Sequence, residues 1–232
     1  MTTLSRVGEF VRQHDPDRFL ATLFAPQPQR EALFALYALN HELARARETV
    51  REPTMALIRL QWWREIVQGA RRRHEIADPV RDALDAGALQ PADLLAMIEG
   101  REAETPQTPA EWRDHVDATA GALAVAAAHA LGIDSLGTDA TDPIRAAGNA
   151  YGAAGTLRNR ALAGQLTIDG LHRAGQDWLA AARRGPIARR AIAAALPAIL
   201  AARDLRRTRP TAERGLGDKL AMLRAAATGR IG

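Results

Sequence analysis

The sequence predicts an all-α fold, a single-domain helical bundle, and three observations lead there. No stretch shows the period-two alternation of a strand. Apolar residues recur at helical spacing along most of the chain, and prolines and capping residues stand where those runs begin. A chain of 232 residues with 47% hydrophobic content can bury one sizeable core, so one domain over 1–232 is expected.

The elements follow in order. "QREALFALYALNHELARARETV" places Leu33, Leu36, Tyr37, Asn40 and Leu43 on one face of a long helix. Pro53 opens "PTMALIRLQWWREIVQGARRR". Its adjacent Trp62 and Trp63 cannot point the same way on a helix, so one is expected in the core and the other toward a groove or the surface. Asp78 and Pro79 read as the N-cap and first residue of a helix ended by Gly87. Thr108, Pro109 and Glu111 form a capping-box pattern ahead of one long helix closed by Gly132. Further helices are expected over 142–164, 169–184, 186–207 and 212–227, the third kinked or split by Pro197. The glycines of "GNAYGAAG" lie in a helical run and suit close helix packing better than phosphate binding.

Composition narrows the chemistry. The chain has no cysteine, which excludes disulfides, thiolate metal sites and a cysteine nucleophile. No two of its six histidines form an HExxH pair, and no GxSxG elbow, P-loop or GxGxxG fingerprint occurs. The net charge is +4, carried almost entirely by arginine, with Lys219 the single lysine. Basic clusters at 70–75, 183–190 and 203–209 fall near expected helix ends, where cations suit the dipole and could face anionic lipid. No basic face interleaves with aromatics, so nucleic acid is not an expected partner. No apolar run reaches the roughly 20 residues of a spanning helix, and the N-terminal stretch lacks a signal peptide's apolar centre. The expectation is a soluble, cytoplasmic protein, peripheral on the inner face of the cytoplasmic membrane.

Five stretches, "RFLATLFAPQPQREALFALYALNHELARARE", "IRLQWWREIVQG", "LLAMIEGREAE", "TAGALAVAAAHALG" and "AGNAYGAAGTLRNRALAG", follow one another in order and spacing. Together they resemble the squalene/phytoene synthase family, the head-to-head trans-isoprenyl diphosphate synthases, from about Asp15 to Arg207. The resemblance implies an isoprenoid-synthase-type helical bundle around a central cavity. It also implies that active members hold magnesium on two aspartate-rich motifs on facing helices. The chemistry needs carboxylates there, because magnesium neutralises a leaving diphosphate and prefers oxygen ligands in near-octahedral geometry.

This sequence departs from both motifs. The first, laid on Ala38–Glu48, puts Ala44 and Arg45 at two of the three aspartates and Glu48 at the last. The second, laid on Gly152–Ala163, keeps Arg158 but puts Asn159 and Ala163 at its aspartates, and Gly152 and Gly155 where the family has polar Gln and Asn. Glu104 stands where an aspartate is usual, His41 where arginine is common, and His115 where tyrosine is common. Phe19, Trp63 and Gly121 match as fold positions. No catalytic or metal-ligating residue is therefore assigned, and no cofactor is expected.

The resemblance thus points to an aspartate-poor branch like the mitochondrial respiratory complex I assembly factors. It implies a bacterial pseudoenzyme of terpenoid-synthase ancestry, acting as an assembly, scaffold or lipid-binding factor at the membrane. Its implied partners are an isoprenoid or lipid in the central cavity and a membrane surface or respiratory-complex subunit. The candidate substrate- or anion-binding set is Arg30, Tyr37, His41, Arg45 and Arg158, with Arg30, Arg45 and Arg158 able to pair with phosphate without metal. The alternative is a working prenyl transferase with a rebuilt magnesium site using Glu48, Glu104 and Arg158.

Overall fold

The computed structural model describes residues 4–48, 53–103, 105–133, 142–159, 167–185, 187–207 and 214–231. Among these the regular structure is helical throughout. The α-helices are α1 (Arg6–His14), α2 (Pro16–Thr22), α3 (Arg30–Glu48), α4 (Pro53–Val67), α5 (Ala77–Asp85), α6 (Pro91–Glu102), α7 (Pro109–Val116), α8 (Ala122–Ala130), α9 (Asp142–Arg158), α10 (Ile168–Ala182), α11 (Ile192–Ala195), α12 (Pro197–Asp204) and α13 (Leu216–Thr228).

Two helices organise the bundle. From Ala32 to Leu39 every residue of α3 is buried, the signature of a helix enclosed on all sides. It packs against α1, α2, α4, α5, α6 and α8. The second axis, α9, packs against α8, α10, α11 and α12. Leu33, Leu36, Tyr37 and Leu43 are buried as expected, and Asn40 is half-buried at the edge of that face, where its Oδ1 accepts a bond from Arg101.

Local chemistry sets the boundaries. The capping box at Thr108 and Glu111 starts α7, and Gly87 and Gly132 take left-handed conformations, φ 68° and 77°. Pro197 splits the expected 186–207 helix: a single 3-10 turn and α11 precede it, and α12 begins at it. Trp63 lies in the core, whereas Trp62 is half-buried beside a groove.

Three expectations are corrected. Asp78 is not the N-cap of α5; the helix starts at Ala77, and Ile76 occupies the cap. The His74 ring Nδ1 accepts the backbone N–H groups of Ile76 and Ala77, at 3.2 and 3.4 Å, so a side chain from before the helix satisfies the orphan donors. The long helix after Thr108 is interrupted by a π-turn, Asp117–Gly121, between α7 and α8. The helix from 142 ends at Arg158, short of the expected 164, and 160–166 lie outside the described residues.

The π-turn sits against α9 at van der Waals limits. A Cβ on Gly148 would lie 2.4 Å from the Ala120 carbonyl oxygen and 2.6 Å from the Ala124 Cβ. Gly155, two turns further along α9, meets only the far end of Arg158, at 3.7 Å. Gly148→Ala is therefore expected to lower stability by about 1–3 kcal/mol through overpacking, although alanine is the better helix former. Gly155→Ala, at an open position, should be neutral or stabilising by up to about 1 kcal/mol. Urea denaturation of both variants checks this; equal effects would remove the packing account.

Candidate functional site

The centre of the bundle, where α2, α3, α8, α9, α11 and α12 converge, holds a cavity of about 10 Å³. Its polar lining is Arg18, Tyr37 and Tyr151; the rest is mostly alanine, with Gly148, Leu123 and Pro197. That is room for about one water, against the roughly 300–1,000 Å³ of a ligand pocket. This space alone is far smaller than an isoprenoid chain, and a larger opening of about 710 Å³ lies between α6, α7 and the π-turn, lined among others by Glu99, Asp114 and His115.

Arg18 occupies the middle. Its guanidinium carbon lies 4.7 Å from the Tyr151 ring centroid and 5.7 Å from that of Tyr37, so a cation is held between two aromatic faces. Asp15, the N-cap of α2, accepts a 2.7 Å bond from it. Burial pulls the Arg18 pKa down, but the charge and hydrogen bond of Asp15 outweigh it and the net shift is upward. Burial pushes both tyrosines well above the ordinary phenol range, so they remain protonated donors.

Below this lies a network of three buried carboxylates, Asp17 on α2, Asp204 on α12 and Asp218 on α13. Arg214 joins the first two. Its Nε and one terminal nitrogen donate to Asp17 at 2.6–3.1 Å, and both terminal nitrogens donate to Asp204 at 2.8 and 3.0 Å. Tyr151 also donates to Asp17, at 2.8 Å, and Arg158 donates to Asp204, at 2.5 Å. Arg203 and Arg207 donate to Asp218. Burial opposes the charge on Arg214, but the bonds to Asp17 and Asp204 raise its pKa above the ordinary value. Burial likewise opposes the charge on Asp218, yet the bonds from Arg203 and Arg207 hold its pKa below the usual carboxylate range.

The residues singled out from the sequence are dispersed rather than assembled. Arg30 donates to the carbonyls of Ala25 and Leu23 and ties the loop before α3 to its first turn. Arg45 lies 15 residues along the same helix, roughly 22 Å away at 1.5 Å per residue. Arg158 is bonded to Asp204 and lies over the Tyr151 ring, 5.1 Å from its centroid. The expected Arg30–Arg45–Arg158 anion site is therefore corrected, because helix geometry alone keeps two of its members apart. His41 packs with Phe10 and His14, ring centroids 5.4 and 4.7 Å away. Burial, then the charge of His14, lowers its pKa, which disfavours the cationic form that would bind an anion. Tyr37 lines the central cavity.

At the first motif, Ala44 is half-buried and Arg45 is exposed. Arg45 shares a groove of about 380 Å³ with Glu42, Arg59, Trp62, Trp63 and His74. At the second motif, Gly152 packs against the π-turn, where a Cβ would come within 2.8 Å of the Ala120 Cβ. Asn159 is exposed just past the end of α9. The Glu48 side chain, Glu104 and Ala163 lie outside the described residues. Among the described residues no three histidine or carboxylate side chains are grouped to hold a metal. Of the five positions laid on the family's aspartates, Ala44, Arg45, Asn159 and Ala163 offer no carboxylate and Glu48 alone offers one, and each of the three buried carboxylates has its oxygens engaged by arginine. The donor set does not fit magnesium.

Sequence reasoning missed Arg18, Asp17, Tyr151, Asp204 and Arg214. The chain separation of Arg214 and Asp17, 197 residues, explains why no local pattern reports that pairing. A faint signal existed in the excess of arginine near 203–209, read as solvated helix ends.

With this geometry in hand, comparison with known proteins is direct. Residues 11–162 match the family model of squalene/phytoene synthase. The chain belongs to the squalene/phytoene synthase family. A dehydrosqualene synthase crystallised with ligand superposes with a TM-score of 0.74 at 12% identity, covering 96% of this chain and 94% of that one. The squalene synthase HpnC from Alicyclobacillus acidocaldarius gives a TM-score of 0.60 at 16% identity, covering 96% and 92%. At such identities these likenesses establish the isoprenoid-synthase helical fold alone. In sequence the chain is similar to NADH dehydrogenase (ubiquinone) complex I, assembly factor 6. The human protein is 38% identical over 60 residues, 26% of this chain and 18% of that protein. The bovine one is 28% identical over 139 residues, 56% and 42%. The matches thus span less than half the length of these relatives.

Two outcomes are expected of the network. Arg214→Ala leaves Asp17 and Asp204 underpaired in the interior and should cost about 3–5 kcal/mol. Arg71→Ala, which removes a surface pair with Asp85, should stay within about 0.5 kcal/mol. Thermal melts of the two decide it. Because the folded pKa of Asp218 is depressed, its contribution is complete above the unfolded value of about 3.9 and is lost as pH falls through the folded one. Asp218→Asn should flatten the stability profile on the acid side of about pH 4; an unchanged acid limb would contradict this.

Proposed function

We propose that this chain is a non-catalytic member of its family, acting as an assembly or scaffold factor at a membrane in the manner that the name of its assembly-factor relatives describes. The observation that carries the reading is the centre of the bundle. Where a synthase needs open carboxylates around a ligand-sized space, this chain has Arg18 clamped between two tyrosines in a cavity of about 10 Å³. The motif positions Ala44, Arg45 and Asn159 support it, because none supplies the carboxylate charge that a magnesium clamp rests on. Positioned metal charge supplies much of the stabilisation of a departing diphosphate, so its loss removes the chemistry while leaving the fold.

Respiratory complex I assembly is the role this similarity suggests. No helix among the described residues is long and apolar enough to cross a membrane.

Calorimetric titration of farnesyl diphosphate into the purified chain, with magnesium and then with a chelator, tests the reading. The expected result is no binding heat in either condition from a folded helical protein. Tight, magnesium-dependent heat, abolished in Glu48→Ala, would instead establish a rebuilt prenyl transferase site.

A further inference from the structure

Helix α13 is built with leucine on its outer face. At 100° per residue, Asp218, Met222 and Ala225 fall on one side, and these are its buried residues, packed toward α12. Leu216, Leu220 and Leu223 fall on the opposite side, 74%, 54% and 53% exposed. Lys219 and Arg224 flank that stripe, one on each edge, and both are exposed. Among the described residues neither is in an ion pair. The one carboxylate of the helix, Asp218, is buried and bonded to Arg203 and Arg207.

Two of the basic clusters seen in the sequence converge on this helix. Arg203 and Arg207 of the 203–209 cluster hold its first turn through Asp218. Arg183 and Arg189 of the 183–190 cluster bond the carbonyls of Ile231 and Ala227 at its other end. These arginines hold the helix at its buried side and its two ends, while Lys219 and Arg224 border a leucine face that presents no acidic group of its own.

We propose that α13 is a membrane-surface helix. It lies in the plane of an anionic bilayer, with the three leucines at the acyl boundary and Lys219 and Arg224 against lipid phosphates. Charge complementarity selects this occupant. A second copy paired through the same face would bring Lys219 and Arg224 against their own like charges, which disfavours association. Nucleic acid would leave three leucines without a partner. An exposed apolar stripe between two cationic edges matches an interfacial helix, buried about 5–10 Å at the headgroup level. This rests on the membrane location proposed above and names the surface that provides it.

The test is flotation of the full chain with phosphatidylcholine vesicles and with vesicles that also contain phosphatidylglycerol. Binding is expected to the anionic vesicles and to weaken as salt rises. Leu220→Ser combined with Leu223→Ser should weaken it by about tenfold or more. Lys219→Gln and Arg224→Gln should each weaken it by about fivefold. All these positions are exposed, so the variants should keep the parent's circular dichroism and melting temperature. No binding to either vesicle, or binding that the leucine variants leave intact, overturns the proposal. So does a concentration-dependent dimer that the leucine variants dissolve without any vesicle binding. The outcome is separable from the diphosphate titration. Vesicle binding together with farnesyl diphosphate heat would sink the non-catalytic reading and keep this one. Absence of both would do the reverse.

Discussion

The fold closes on one guanidinium. Arg214 reaches two carboxylates at once, Asp17 from the second helix and Asp204 from the twelfth, and these are separated by almost the whole chain. Taking such charges out of water is costly, and the cost is offset only when every lone pair finds a donor. The structure meets that condition with Tyr151 and Arg158 from α9 completing the two carboxylates. Because α2, α9 and α12 all contribute, none can move without exposing an unpaired buried charge. The same three helices line the central cavity, so the ion network and the narrowness of that cavity are a single constraint.

A carboxylate-rich metal centre and this one face the same electrostatic problem. Several negative groups sit in an interior that repels charge. A metal-dependent site solves it with exchangeable divalent cations, whose open coordination positions are also what binds substrate. Here the countercharge is tethered to the chain as arginine. A guanidinium satisfies a carboxylate with directed hydrogen bonds and leaves no open position for a diphosphate oxygen. Arg18 between Tyr37 and Tyr151 extends this inward, as a fixed cation lining the central cavity. An exchangeable ion can leave its carboxylates, whereas a tethered guanidinium cannot, and the gain is rigidity.

How much of this the sequence disclosed depends on the range of the interaction. The capping box at Thr108, the glycine ends at Gly87 and Gly132, the break at Pro197 and the division of labour between Trp62 and Trp63 are all local. Each could be read from a few adjacent residues. The His74 cap of α5 was not legible, because a ring nitrogen before a helix competes with the nearer and more usual Asp78. The π-turn was hidden in an alanine-rich run whose composition suits an uninterrupted helix equally well. The candidate anion site failed for a geometric reason: Arg30 and Arg45 share one helix but not one end of it. The ordered resemblance gave the family and fold, yet the centre could not be foreseen, since its partners are tens to hundreds of residues apart.

The glycines at the second motif connect the altered site to the collapsed cavity. Polar residues are expected there in a working synthase, and this chain has Gly152 and Gly155. Gly152 lets the π-turn approach until a Cβ would contact both Ala120 and Val116, and Gly148 one turn earlier brings the Ala120 carbonyl closer still. A π-turn widens a helix locally, and here that widened segment presses on α9 beside the cavity. Glycine at 148 and 152 therefore lets the two segments approach beside the central cavity. Widening that cavity would require the backbone of α9 to stand off from the π-turn, against the close packing that now holds it.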